Sequence, residues 1–213
     1  MYVNAAMVAG WEGQYGQPVV QRPTLAISVS EMDMVLGSRK HGRMHDVTMF
    51  IFDGDRLALI RKPMFPPGGF RAPSGGLEPG EPLEVGASRE AREETGLDIA
   101  LERYVLRVDA TFTEGKREQR WVSHVFTAAQ TGGTLEPIDR DEIEAATYAS
   151  LADLQGPIRA RLLATGRALL GYRVALTDTT VSALLGCADE PGAHQPAVQG
   201  WRESHPLSAD SAD

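Results

Sequence analysis

Apolar positions fall into short solid runs, separated by turns rich in glycine and proline. Residues 46–52 (DVTMFIF) are apolar nearly throughout, the pattern of a central strand buried on both faces. Asp53-Gly54-Asp55 is a hairpin turn signal, and residues 56–61 (RLALIR) read as the next strand. Residues 62–69 crowd prolines and glycines into a rigid loop. Residues 101–113 and 119–128 predict two further strands, with 114–117 turning between them and Thr131-Gly132-Gly133 forming another turn. A short strand is expected around 146–149 and a helical turn from 151 to 154. Residues 157–172 carry Ile158, Leu162, Leu169 and Leu170 at helical spacing and predict a helix packed on the sheet. Residues 173–185 read as a strand and a further short helix. Upstream, 23–30 looks like a short strand, 31–45 is ambiguous, and 1–22 is a polar, glycine-bearing arm. From 188 to 213 periodicity stops and Asp, Glu, Pro, Ser and Ala take over, which predicts a disordered acidic tail. The expected organisation is an extension at 1–44, a domain at 45–187 and the tail at 188–213.

The stretch that carries chemistry is 75–97, GGLEPGEPLEVGASREAREETGL. It opens on glycines, passes Glu81 and enters a helix bearing Glu90, Glu93 and Glu94. At 100° per residue those three side chains share an arc of roughly 100°. Like charges at such spacing repel by a few tenths of a kcal/mol per pair. A hard divalent cation would offset that cost, because Mg²⁺ and Mn²⁺ take carboxylate oxygens. A glutamate-rich helix face is also commonly no more than solvated. The flanks can be read independently. Ser74-Gly75-Gly76 and Pro79-Gly80 permit tight turns that aim a carbonyl at a metal. Glu81 can accept from free N–H groups of the first helical turn, and Pro82 suits that turn. Small Gly86, Ala87 and Ala91 let the helix lie close to a sheet, and Gly96 ends it.

Gly75, five residues, Glu81, seven residues, Arg89-Glu90-Ala91, one residue, Glu93-Glu94, one residue, Gly96-Leu97: this spacing resembles the signature of the Nudix hydrolases, G-x5-E-x7-R-E-U-x-E-E-x-G-U. Every fixed position matches, with Ala91 small for its aliphatic place. The resemblance spans roughly 45–172 and implies an α/β fold, a Nudix-type α/β/α sandwich around a mixed β-sheet. It implies metal ligation by Glu90, Glu93 and Glu94, with the Gly75 carbonyl as a further ligand. It gives Arg89 the part of orienting neighbouring glutamates and Glu81 a structural part. Many members add a glutamate from a later loop, ahead of an aromatic residue; Glu142, before Tyr148, takes that place here, with Glu144 in reserve. The implied reaction is hydrolysis of a nucleoside diphosphate linked to another moiety, with Mg²⁺ or Mn²⁺ as cofactor and Glu90 or Glu142 as base. Arg71 and Arg61 are candidates for the substrate phosphates, as are Lys62, Lys116, Arg117 and Arg120. Phe70, Phe112 and Trp121 could stack on a base, although a core role suits each better.

Composition narrows the rest. A formal charge of −8 over 213 residues argues against an extended basic surface for nucleic acid, though metal ions can still bring polyphosphates to an acidic protein. The single cysteine, Cys187, lies in an apolar run and reads as a buried inert thiol. The N-terminus lacks a signal-peptide layout and no apolar run reaches membrane-spanning length, so the expected location is cytoplasmic. His41, His45 and His124 have no metal spacing, and His124 reads as a packed residue. Two alternatives stand beside the hydrolase. A nucleotide-sensing, non-catalytic binding module is disfavoured by the intact acidic set. An isoprenoid diphosphate isomerase would need an active-site cysteine, and Cys187 lies outside the shared core. The expected partner is a small nucleotide substrate, and a homodimer is left open.

Overall fold

The apolar run at 46–52 lies inside strand β3 (His45–Asp53), whose first eight residues are all buried. The computed structural model describes residues 3–39 and 42–187. Ahead of β3 come helix α1 (Ala5–Tyr15), strands β1 (Val19–Gln21) and β2 (Thr24–Ala26), and helix α2 (Val29–Gly37). After it come β4 (Arg56–Arg61), β5 (Ser74–Gly75), helix α3 (Leu83–Thr95), β6 (Leu97–Glu114), β7 (Arg117–Gly133) and β8 (Ala145–Ser150). The C-terminal part runs through α4 (Leu151–Asp153), a π-helical turn (Leu154–Ile158), α5 (Arg159–Leu163) and α6 (Ala168–Cys187). The sheet order is β1-β6-β7-β3-β4-β8, with β5 set beside β3 and β2 beside β6. β3 and β7 are parallel while β6 and β7 form a long antiparallel hairpin, so the sheet is mixed.

Alternation along the strands feeds two apolar layers. Val47, Met49 and Ile51 face one side, where Trp11 of α1 and Leu83, Ala87 and Ala91 of α3 cover them. Phe50 and Phe52 face the other, under Met32 and Val35 of α2 and Leu170, Val174 and Leu184 of α6. This is the expected α/β/α arrangement of a mixed sheet between helices.

Several elements differ from the sequence reading. The N-terminal arm holds α1, whose first turn is capped by Asn4 Oδ1 accepting from the Met7 N–H at 3.0 Å. The segment expected as a strand at 23–30 is strand only over β2; Ser28 then starts α2 through a reciprocal capping box with Glu31. Thr131-Gly132-Gly133 is not a turn but the end of β7, paired with Leu97 and Asp98. Gly133 is needed there because a Cβ would come within 2.3 Å of the Gly96 carbonyl oxygen. The helix expected at 157–172 is interrupted: Pro157 sits in the π turn, and Gly166, at φ 65°, separates α5 from α6. No strand occurs at 173–185. Leu170, Val174, Thr177, Val181 and Leu184 recur at three- and four-residue steps and are all buried, so the segment is one helix. The acidic tail, His41 and the Cys187 side chain lie outside the described residues.

Candidate active site

The site begins with a splay between two strands. β4 pairs with β3 only at Phe52–Leu57 and Asp53–Arg56, then diverges. The edge of β3 left open is taken by β5, which pairs Ser74 with Thr48 and Gly75 with Val47. Arg71, just upstream, exchanges both backbone hydrogen bonds with Ile60 of β4, at 2.8 and 2.9 Å. The chain from 71 to 75 is therefore inserted between β3 and β4, and it delivers the glycines against α3.

Helix α3 starts after Pro82, which stands at the N-cap with ψ 147° and lies just outside the first helical turn. Gly96 closes it in the left-handed conformation, φ 77°, as expected. Glu81 does not cap the first turn. It accepts from the Glu78 N–H at 2.8 Å and from the Arg89 guanidinium at 3.1 and 3.0 Å. The fork of Arg89 matches a carboxylate bidentately, a stronger arrangement than a single N–H bond. Arg89 also donates to Glu90 at 2.9 Å, to Glu93 at 3.3 Å and to the Gly76 carbonyl at 2.9 Å. It is the strut between helix and glycine turn.

The three glutamates on the shared arc have different surroundings. Glu94 is 3% exposed, accepts from the Ser74 N–H at 2.7 Å, and has Lys62 Nζ and an Arg71 guanidinium nitrogen each 3.6 Å away. Burial pushes it up to about 7, against the pull of Arg71, Lys62 and the Ser74 N–H. Glu90 packs on the glycine turn and accepts from the Gly76 N–H at 3.1 Å; burial raises its proton affinity more than Arg89 lowers it. A Cβ on Gly75 would fall 1.8 Å from Glu90 Cδ, so only glycine lets the backbone run there. Glu93 faces solvent.

The loop after β7 is hung on the end of the same helix. The N–H groups of Ile138 and Asp139 both donate to the Glu93 carbonyl, at 3.0 and 2.9 Å. Asp139 Oδ1 then accepts from Asp141 and Glu142 N–H, at 3.1 and 3.0 Å, fixing a turn. This turn brings Glu142 to Lys62, so Lys62 bridges Glu142 and Glu94. Burial pushes Glu142 up, but the Lys62 ammonium more than cancels that and the net shift is downward. Glu144, the reserve, turns to Arg61 at 3.1 Å.

Of the phosphate candidates, Arg71 and Lys62 line a cavity of about 470 Å³ that Glu142 also lines. Arg61 does not line it and is held by Glu144 beside Phe70. Arg117 pairs with Asp33 and Glu114, and Lys116 and Arg120 are exposed on the same hairpin. Phe112 and Trp121 are both buried and both wall the cavity. His124 is buried as expected, its Nδ1 2.6 Å from the Tyr104 hydroxyl. Two features escaped the sequence reading. The bridging role of Lys62 is one. The other is Arg173, which lines the cavity floor and donates to buried Asp46 at 2.8 Å. Nothing local to either sequence signals that pairing, which joins residues 127 apart.

The donor set suits a hard divalent cation. It consists of carboxylates on one helix face; Glu90 and Glu94 are both lifted by burial, Glu93 raises Glu90 further and Glu90 raises Glu94, and a glycine carbonyl runs alongside. Among the described residues, no three carboxylate, imidazole or thiol groups converge as a ready-made cation site. Arg89, Lys62 and Arg71 hold the carboxylates instead. Among the described residues, no helix is long and apolar enough to cross a membrane.

Comparison with known proteins places these residues in a wider set. A family model described as NUDIX domain matches residues 42–167. A "NAD-capped RNA hydrolase NudC" of Stutzerimonas stutzeri (strain A1501) is 35% identical over 101 residues, covering 47% of this chain and 34% of that protein. The "8-oxo-dGDP phosphatase NUDT18" of Homo sapiens is 32% identical over 118 residues, covering 54% of this chain and 34% of that protein. The matched stretch thus spans about a third of the length of these curated relatives. Among solved structures, a MutT NUDIX hydrolase from Burkholderia pseudomallei is 28% identical at a TM-score of 0.43, covering 58% of this chain and 96% of that one. A NUDIX hydrolase from Nitrosomonas europaea is 21% identical at a TM-score of 0.45, covering 70% and 92%.

Proposed function

The chain belongs to the Nudix family, and from that premise we propose that it hydrolyses a phosphoanhydride bond in a nucleoside diphosphate linked to another moiety. The observation that carries this reading is the meeting of the signature helix and the cavity. Lys62, Arg71 and Glu142 line the 470 Å³ cavity, and Glu94 stands against the first two. Cations there suit the phosphates, and the carboxylates suit a metal ion. Glu90, Glu93 and Glu94 would hold Mg²⁺ or Mn²⁺, with Gly75 and Glu142 as further ligands. Such an ion, when bound, reverses the local sign, polarises phosphoryl oxygens and acidifies water.

The chain's own residues do the remaining work. Arg71 and Lys62 bind and orient the phosphates. Arg89 keeps Glu90 and Glu93 in place through the contacts already described. A water attacking phosphorus gives its proton to Glu90 or Glu142, and the bond to the leaving phosphate oxygen breaks. The expected setting is the cytoplasm, with a small nucleotide as partner.

A second reading is a nucleotide-sensing binding module, favoured by the lack of converged ligand groups among the described residues. Release of phosphate or mononucleotide from a panel of nucleoside diphosphate derivatives and triphosphates, with Mg²⁺ and with Mn²⁺, separates the two. Metal-dependent turnover of one class, lost in Glu93→Gln and Glu94→Gln, is the expected result. Absence of turnover across the panel, with nucleotide binding that persists in both variants, overturns the catalytic reading in favour of the module.

A further inference from the structure

The cavity beside Glu94 is built from two sources. Its charged end, Lys62, Arg71 and Glu142, comes from within the matched span. Much of its wall does not. Met34 and Val35 come from α2, and Leu170, Tyr172 and Arg173 from α6, all outside residues 42–167. The two helices are fastened together: Glu31 of α2 accepts from the Leu169 N–H of α6 at 2.9 Å while also capping its own helix through Ser28. The wall they complete is therefore a fixed part of the fold.

We propose that α2 and α6 complete a nucleobase site in this cavity, with Met34, Met64 and Trp121 as its apolar surfaces and Arg167 as the clasp between the two methionine-bearing segments. A volume near 470 Å³ is within the range of small-ligand pockets. The charged lining is four cations, Lys62, Arg71, Arg167 and Arg173, and two carboxylates, Asp141 and Glu142; Glu94 and Asp46 pair with Lys62, Arg71 and Arg173 from behind, so a ligand phosphate would share those cations with carboxylates. Apart from the charged groups the lining is largely apolar, with aliphatic, thioether and aromatic side chains, and Phe112 and Tyr172 meet edge to face at 5.3 Å. A sugar pushed into such a wall would bury hydroxyls without partners, which is unfavourable. A planar base covers the same surface without that penalty, and its polar edge can face Asp141 and Ser38, which also line the cavity. Met34 and Met64 are 36% and 52% exposed, flexible side chains able to close on a flat ring. Arg167 donates to the Met64 carbonyl at 3.1 Å and has Met34 Sδ 3.6 Å away, so its guanidinium links the two methionine-bearing segments, and a planar guanidinium can stack on a base.

The inference rests on the hydrolase reading only in placing phosphates at the Lys62–Arg71 end, and it is tested without turnover. The full chain, with chelator present, is titrated calorimetrically with AMP, UMP, ribose 5-phosphate and geranyl phosphate. AMP or UMP is expected to bind at least tenfold more tightly than ribose 5-phosphate, which differs from them by the base alone. Arg167→Ala and Met34→Ala, at a half-buried and an exposed position, are each expected to cut that margin at least threefold, Met34→Ala without changing ribose 5-phosphate affinity. Equal affinities, tightest binding by geranyl phosphate, or a margin untouched by both variants would overturn the site. Base-dependent binding with no turnover in the substrate panel leaves the site standing and removes the hydrolase; turnover with no base preference does the reverse.

Discussion

Acidification offers a test of the polar residues buried beneath α1. His124 is 2% exposed and burial, with His45 and Arg107 nearby, holds it down to about 3. An unfolded chain returns it to about 6.5. A depressed value means that stability is complete above the unfolded value and is lost as pH falls towards the folded one. The window is thus from about pH 6.5 down to about 3. Moving from pH 7 to about 4.5 lets the unfolded state bind nearly a full extra proton over two pH units, which costs roughly 2.5 kcal/mol. His45, 4% exposed and held by burial down to about 4, adds a term of the same sign that overlaps the first because the two rings face each other at 6.4 Å. Glu94 works the other way. Raised to about 7 from its ordinary 4.5, it takes a proton more readily in the folded state, so its cost disappears as pH falls from about 7 towards 4.5. The raw pH profile therefore mixes opposed slopes, and the informative quantity is a difference between proteins. Urea unfolding of wild type and His124→Asn, in chelator, at about pH 7 and about pH 4.5, isolates it. The wild-type stability should fall by roughly 2.5 kcal/mol more than that of the variant between the two pH values, close to 1 M in midpoint. The variant's lost packing and Tyr104 contact cancel in this comparison. Equal falls in the two proteins would refute the claim that His124 is kept neutral by burial.

Three further outcomes are expected. Gly75→Ala places a Cβ 1.8 Å from Glu90 Cδ, so Glu90 must move; turnover should fall at least ~100-fold while stability, by urea unfolding, falls only ~1–3 kcal/mol. Arg173→Met leaves Asp46 buried without its guanidinium, and the thermal midpoint should drop by roughly 10 °C, with partial recovery in Asp46→Asn/Arg173→Met. Lys62→Met removes the cation shared by Glu94 and Glu142, so Mn²⁺ binding, read by electron paramagnetic resonance of free ion, should tighten several-fold, and weaker binding would contradict Lys62 as an internal counter-ion.

What could be read from the chain divides by range. Helix α3 is legible because its start, its small face and its Gly96 stop are all set within a few residues. The central strand was legible because burial on both faces leaves an unbroken apolar run. The α1 helix was hidden by Gly10 and Gly13, which lower helix propensity, and by its weak separation of apolar and polar faces. In α6, Val174, Thr177, Thr179, Thr180 and Val181 carry β-branched side chains that favour strand, and tertiary packing overrides them. Pro157 and Gly166 punctuated the preceding segment, but the spacing of its leucines masked the break. At the site, Arg89 and its glutamates lie within one local stretch, whereas Lys62 and Arg173 reach their carboxylates from 32 and 127 positions away.

Those long-range contacts form a continuous series. Arg173 of α6 holds Asp46 of β3, Arg71 beside β5 reaches Glu94 of α3, and Lys62 beyond β4 joins Glu94 to Glu142 of the loop. Asp46 and Arg71 also act on each other electrostatically, and so do Arg71 and Arg173. Each element that borders the splay between β3 and β4 therefore contributes a charge. Apolar residues would fill this space at less desolvation cost, since buried ion pairs seldom repay it. An apolar filling would also close the splay, and the splay is what admits residues 71–75 and presents Gly75 to Glu90. The charges line the gap between β3 and β4 into which residues 71–75 are inserted. Their stability cost and the shape of the site have one structural cause.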